Sequence, residues 1–374
     1  MAFFNLTILA TFASVMTTLW HIIIALFFLM VMVVIHELGH YVAGKKLGFK
    51  VEEFGIGFGP PIFRKVSAKT GEVFTIRPIP LGGFCNFEGE DEEKHSPTAF
   101  NNQEPWKRLI VLFSGAFMNF VSALVLITLF FTFYGQLLPS VHSLYEDSYA
   151  AAHNQLLEGD VILKVDGKQM NVMDAGDITK LIKNTGDSAQ FTLLRNGKIV
   201  KVTANKSNYT PTDEQGNVTY DEQGEVITNY GYGFISGIAP VKLNFFLAFA
   251  RSFSFGFFIV YKILAALIGL ISGSIGLSSA GGPITVISIM ADATKSGFAM
   301  IIYIVMIISA NLAVMNLLPL PALDGARMVF VIIEWIRGKP VNPKVEGLIH
   351  FAGFILLIGF ALVADIYQLI LSKL

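Results

Sequence analysis

Residues 36–40 read His-Glu-Leu-Gly-His and follow fourteen uninterrupted apolar residues, Ile22 to Ile35. On a helix His36 and His40 stand one turn apart on the same face, so both imidazoles can reach one ion, and Glu37 is near enough to touch a water on that ion. The pattern is that of zinc-dependent hydrolysis, in which the ion acts as a Lewis acid and the carboxylate takes the proton from the water. With seven histidines and sixteen glutamates in the chain, chance produces an H-E-x-x-H with a probability of roughly 0.5%. The competing reading is a polar cap or a polar pair inside a bundle. It is weakened by the apolar surroundings, where ionisable groups are costly. The remaining histidines, His21, His95, His142, His153 and His350, form no local pair and read as packed or solvated side chains.

A catalytic zinc needs a third protein ligand and an open position. No extended H-E-x-x-H-x-x-G-x-x-H is present, so the ligand must come from a distance. Asp324 stands out in "NLLPLPALDGAR" because it ends a charge-free stretch, Ser296 to Leu323, and adjoins Gly325. Pro319 and Pro321 break the helix before it and can turn Asp324 toward the histidines. The alternative is that Asp324 merely caps the helix that follows.

The elements that position these residues belong to a membrane protein. Charged residues make up 15% of the 374 and apolar ones 53%, against about 25% and 45–50% in soluble domains. The first charge in the chain is Glu37. A net charge of −1 without a basic block disfavours a purely nucleic-acid-binding role, and the aromatic content excludes extreme disorder. One cysteine, Cys85, permits no internal disulfide and no cysteine metal cluster.

Apolar blocks of about 20 residues or more predict helices crossing the bilayer at 6–35, 109–134, 296–318 and 347–371. The first is read as a helix rather than a leader, since it lacks a basic n-region and ends in the histidines. Residues 51–84, rich in Gly, Pro, Phe and Ile, predict a membrane-associated β segment, which with the helices at 6–35 and 109–134 makes up an N-terminal membrane protease region over 1–138. Residues 139–206 have ordinary soluble polarity and predict a compact β module, and 207–240 an insertion or linker. Ten Lys or Arg in 45–108 and four more in 327–346 mark a cytoplasmic side, placing the β module outside. Four crossings satisfy that pattern, so 241–295 is expected to be interfacial or re-entrant, with 296–374 a C-terminal membrane region.

These residues resemble the site-2 protease family of intramembrane zinc metalloproteases, in particular the bacterial regulator of sigma-E protease type. The family's H-E-x-x-H falls on His36, Glu37 and His40, and its N-x-x-P-x-P-x-L-D-G on Asn316, Pro319, Pro321, Leu323, Asp324 and Gly325. "RPIPLGGF" at 77–84, "FSGAFMNF" at 113–120 and "GGPI" at 281–284 are similar to further family segments. The resemblance implies Zn2+ as cofactor with His36, His40 and Asp324 as ligands, Glu37 as catalytic base and Asn316 holding the substrate backbone. Residues 148–162 resemble a PDZ domain of bacterial proteases, with Tyr149 where Pro is usual and Asn154-Gln155 where Ala-Gly is usual. The expected fold is thus a polytopic α-helical membrane protein of about four spans with a membrane-associated β segment and one inserted extracytoplasmic PDZ-like domain.

The resemblance further implies a bacterial inner-membrane location, with the active site toward the cytoplasm. Substrates would be single-span membrane proteins such as anti-sigma factors or remnant signal peptides, cut in regulated intramembrane proteolysis. A metal-coupled transporter and a catalytically silent PDZ scaffold are the competing readings. The first expects further intramembrane charges along a path, and 109–134 has none. The second leaves the His36, Glu37, His40 and Asp324 set without a purpose.

Overall fold

The computed structural model describes residues 2–90, 96–173, 177–178, 182–213 and 216–371. The chain divides into two compact units: residues 1–127 with 256–374, and residues 128–255.

The first unit is built on long apolar helices and a small sheet. Helix α1, Ala2–Lys46, runs through the His-Glu-Leu-Gly-His turn instead of stopping at its apolar limit. Gly48, at φ 87°, marks the turn after it. A four-stranded sheet follows, with β1 Val51–Phe58, β2 Phe63–Val66, β3 Val73–Ile76 and β4 Ile79–Phe87 in the order β2-β3-β1-β4. Strand β1 pairs in parallel with β3 and antiparallel with β4, which leaves β4 as an edge strand. This is the β segment expected at 51–84. Helix α2, Pro105–Phe133, comes next and continues into the second unit.

Phe49, Val51, Phe87, Phe100, Val111, Leu112 and Val331 form a buried cluster that ties the β segment to α2 and to a later helix. Burying such side chains contributes about 1.5–3 kcal/mol each. A second cluster, with Ala25, Met32, Met290, Ala291, Ile301 and Val305, packs α1 against helices of the C-terminal half.

The second unit is mainly β. Strand β5, Gln136–Leu144, is followed by the short helix α3, Tyr149–Ala152, capped by the Ser148 side chain. Then come β6 Val161–Val165, β7 Lys168–Gln169, β8 Ser188–Arg195, β9 Lys198–Asn205, β10 Ser207–Tyr209, β11 Asn229–Gly231 and β12 Phe234–Val241. The main sheet has the order β12-β5-β6-β8-β9, and its core gathers Val141, Ile162, Phe191, Leu193 and Tyr232. The sheet therefore extends beyond the expected limits of 139 and 206. Strand β12 lies within the stretch read as a linker, yet it pairs with β5 from Phe234↔Leu144 to Val241↔Gln136. The sequence reading missed it because its partner lies far away in the chain.

Helix α4, Phe245–Ser272, leaves the second unit and enters the first. In the first unit it is followed by α5 Pro283–Lys295, α6 Phe298–Leu317, α7 Asp324–Arg337 and α8 Pro343–Leu371. Asp365 of α8 caps α5 by accepting from the backbone N–H groups of Gly282, Ile284 and Thr285. Among the described residues, five helices are long and apolar enough to cross a membrane: Val15–Lys46 of α1, and α2, α4, α6 and α8. The chain is a polytopic helical membrane protein. Helix α4 adds a fifth candidate to the four spans expected.

Candidate metal centre

The centre forms where the last turns of α1 meet the start of α2 and the start of α7. Two glycines permit the approach. A Cβ on Gly39 would overlap the Ser114 carbonyl, and a Cβ on Gly115 would overlap the His40 ring and lie 2.7 Å from Cε1 of His36. With only hydrogens at these positions, α2 packs directly on the histidine turn.

His36 and His40 are both buried, and their Nε2 atoms are 3.1 Å apart. Oδ2 of Asp324 lies 3.0 Å from Nε2 of His36 and 3.3 Å from Nε2 of His40. Among the described residues, these three atoms are the set close enough together to hold a metal ion. Zinc with N and O ligands at 2.0–2.1 Å in a tetrahedron separates those ligands by about 3.3 Å, so the triangle has the size zinc requires.

The hydrogen positions point the same way. His40 Nδ1 donates to the Val111 carbonyl at 2.8 Å, which leaves Nε2 with a lone pair. Asp324 Oδ2 is buried and has no hydrogen-bond partner despite the two nearby imidazoles. Three electron-pair donors this close repel one another unless a cation neutralises them. The residues fit a divalent metal.

His36 is oriented from its other side. Its Nδ1 lies 3.4 Å from the Asn119 amide nitrogen and 3.3 Å from that of Asn316. Asn119 is fully buried and its Oδ1 has no partner. With the two ends of that amide exchanged, Oδ1 accepts Nδ1–H of His36. Asn316 is held near the metal ligands by the last turn of α6.

The centre opens into a cavity of about 420 Å³ lined by Glu37, Phe84, Cys85, Glu90 and Arg327 as well as the three ligands. Glu37 follows His36 directly and lies against β4, where a Cβ on Gly83 would sit 3.4 Å from its Cγ. Burial, and after it the Glu37 carboxylate, pushes the Cys85 thiol above its ordinary value. Among the described residues, Cys85 is not in the group whose ligand atoms lie close enough together to share a metal ion.

A sequence model of peptidase family M50 matches residues 24–360. The chain belongs to peptidase family M50. Its relatives are aligned almost end to end. One, named as a candidate zinc metalloprotease of Fusobacterium nucleatum subsp. nucleatum, is 31% identical over 93% of this chain and 98% of its own length. Another of the same description, from Clostridium perfringens, is 30% identical over 94% of this chain and 98% of its own. Among solved structures, the PDZ domain of an SdrC-like protein from Listeria innocua covers 26% of this chain and 92% of its own, at 21% identity and a TM-score of 0.18. As a member of family M50 with a His-His-Asp metal set, the chain is a metalloprotease of the site-2 protease type.

The structure brings His36, Glu37, His40, Asp324 and Asn316 to one place. The sequence reading missed Asn119 and Gly115, although both lie in the quoted "FSGAFMNF" segment. A search for charge passes over a neutral amide, yet a fully buried Asn in an apolar helix carries the same signal.

Proposed function

We infer that this M50 member is a zinc endopeptidase that cuts single-span membrane proteins of the anti-sigma factor or remnant signal peptide type. The observation that carries the reading is the buried, unpartnered Oδ2 of Asp324 beside the two histidine nitrogens, at the end of an apolar helix. His36, His40 and Asp324 would hold zinc, which supplies Lewis acidity toward water and the scissile carbonyl. Glu37 takes a proton from the attacking water on its carboxylate and returns it to the leaving amide nitrogen. The Glu37 side chain lines the cavity beside the two histidines, within reach of a water there.

A substrate helix has no free carbonyl to offer and must unwind. Strand β3 is paired on both sides, so the pairing edge is β4, whose residues Phe84 to Phe87 line the cavity. An extended substrate adding to β4 passes the metal centre by β-augmentation. Asn316 occupies backbone groups that unwinding exposes.

The centre also bears on the membrane path. Helices α1 and α6 both reach it by their C-terminal ends, whereas α2 departs from it, with Val111, Gly115 and Asn119 in its first half. The chain between α2 and α6 therefore makes no net crossing, which favours an interfacial or re-entrant α4 despite its length. The ten basic residues of 45–108 and the four of 327–346 support a reading in which the centre faces the cytoplasm.

The test is Glu37→Gln in cells carrying a tagged single-span substrate, with protein level and zinc content followed in parallel. Cleavage should fall by orders of magnitude while bound zinc stays at the wild-type level. Undiminished cleavage would overturn the assignment.

A further inference from the structure

The loop that delivers Asp324 is held in a demanding conformation. It leaves α6 after Leu317, passes Pro319 and Pro321, and enters α7 at Asp324. Within it Ala322 has φ 74°, in the left-handed region. Among the described residues, the other non-glycine residues there are Asn154, Asp166 and Asn196, types whose side chains ease that conformation. Alanine has no such help, so its surroundings must hold it.

Those surroundings come from one face of α8. His350 Nδ1 accepts the Ala322 N–H at 2.9 Å. One turn on, Gly353 lets Pro321 lie against the helix, since a Cβ there would overlap the proline ring. The His350 ring also stands 5.5 Å from that of Phe330 on α7. At the other end of the loop a Cβ on Gly325 would overlap the carbonyls of Leu317 and Leu318. The loop is therefore clamped on both sides of Asp324.

We propose that His350 is a positioning residue of the metal centre: by accepting the Ala322 N–H it fixes the loop conformation that sets the Asp324 carboxylate against His36 and His40. The proposal rests on the reading of those three residues as metal ligands. A mere packing role would be filled by any side chain of similar size, whereas this role needs a hydrogen-bond acceptor at the Nδ1 position.

The experiment uses the full chain in detergent, with zinc affinity measured by chelator competition and the ligand geometry by the absorption bands of the Co2+ form. His350→Leu should weaken zinc about tenfold, the usual scale for residues that orient ligands, and should shift the Co2+ bands. His350→Asn, whose Oδ1 stands where Nδ1 stood, should keep both near wild type. Ala322→Gly added to His350→Leu should recover part of the loss, because glycine adopts this φ without strain. If His350→Leu does not accumulate, His350→Phe carries the same expectation, keeping a ring but no acceptor. Wild-type affinity and spectrum in His350→Leu or His350→Phe would overturn the proposal, as would a His350→Asn variant as weak as His350→Leu. Failure of the wild type itself to bind zinc would instead overturn the metal reading.

Discussion

Two kinds of residue make the centre, those that carry the reactive atoms and those that decide which way the atoms point. His36 and His40 each present Nε2 because the other ring nitrogen is occupied, by the Val111 carbonyl for His40 and by the Asn119 amide for His36. Asn119 should therefore be as necessary to the metal as its neutral character conceals. Asn119→Leu is expected to lower zinc affinity about ten- to a hundredfold, read by chelator competition, while Asn119→Asp, which keeps an acceptor, should lose less. Equal losses in the two variants would mean that Asn119 only fills space.

At the scale of elements, the decisive contact is α1 against α2, which brings the histidine turn to within a hydrogen's breadth of Gly115. Gly115→Ala forces a methyl onto both imidazoles. Overpacking of this kind costs about 1–3 kcal/mol, and here it is relieved by moving α2 away from the ligands. The variant should insert into the membrane and lose zinc and proteolysis together. Gly359→Ala on α8, where a Cβ meets nothing within 4 Å, should change neither. Zinc content of the two purified variants, side by side, checks this.

Across the whole molecule, the main sheet of the second unit begins and ends at points that lie side by side in space. Strands β5 and β12 pair through Gln136↔Val241, and a Cβ on Gly135 would lie 3.2 Å from the Lys242 nitrogen. Residues 136–241 can thus be removed and Gly135 joined to Lys242 through a short turn. The shortened chain should keep one zinc per molecule, because every proposed ligand and its orienting partner lies in the first unit. Loss of zinc on this excision would show that the centre depends on the β module. The apolar blocks were legible from sequence because a bilayer demands about 20 apolar residues for each crossing. Their ends were less so. Helix α1 continues to Lys46 and α8 begins at Pro343, since packing and loop geometry set helix ends where hydropathy has already faded.

The sequence by itself determined the membrane setting and the placing of His36, Glu37 and His40, because the spacing of one helical turn is local and needs no partner. It also singled out Asp324, the first charge after Ser296 to Leu323, whereas Asn316 entered only through the family resemblance. Only the tertiary structure decided that Asp324 meets the histidines rather than capping a helix alone, that Asn119 turns His36, and that His350 holds the loop. Those relations join residues far apart in the chain, and they depend on how closely backbones approach, which glycine permits and no local pattern records.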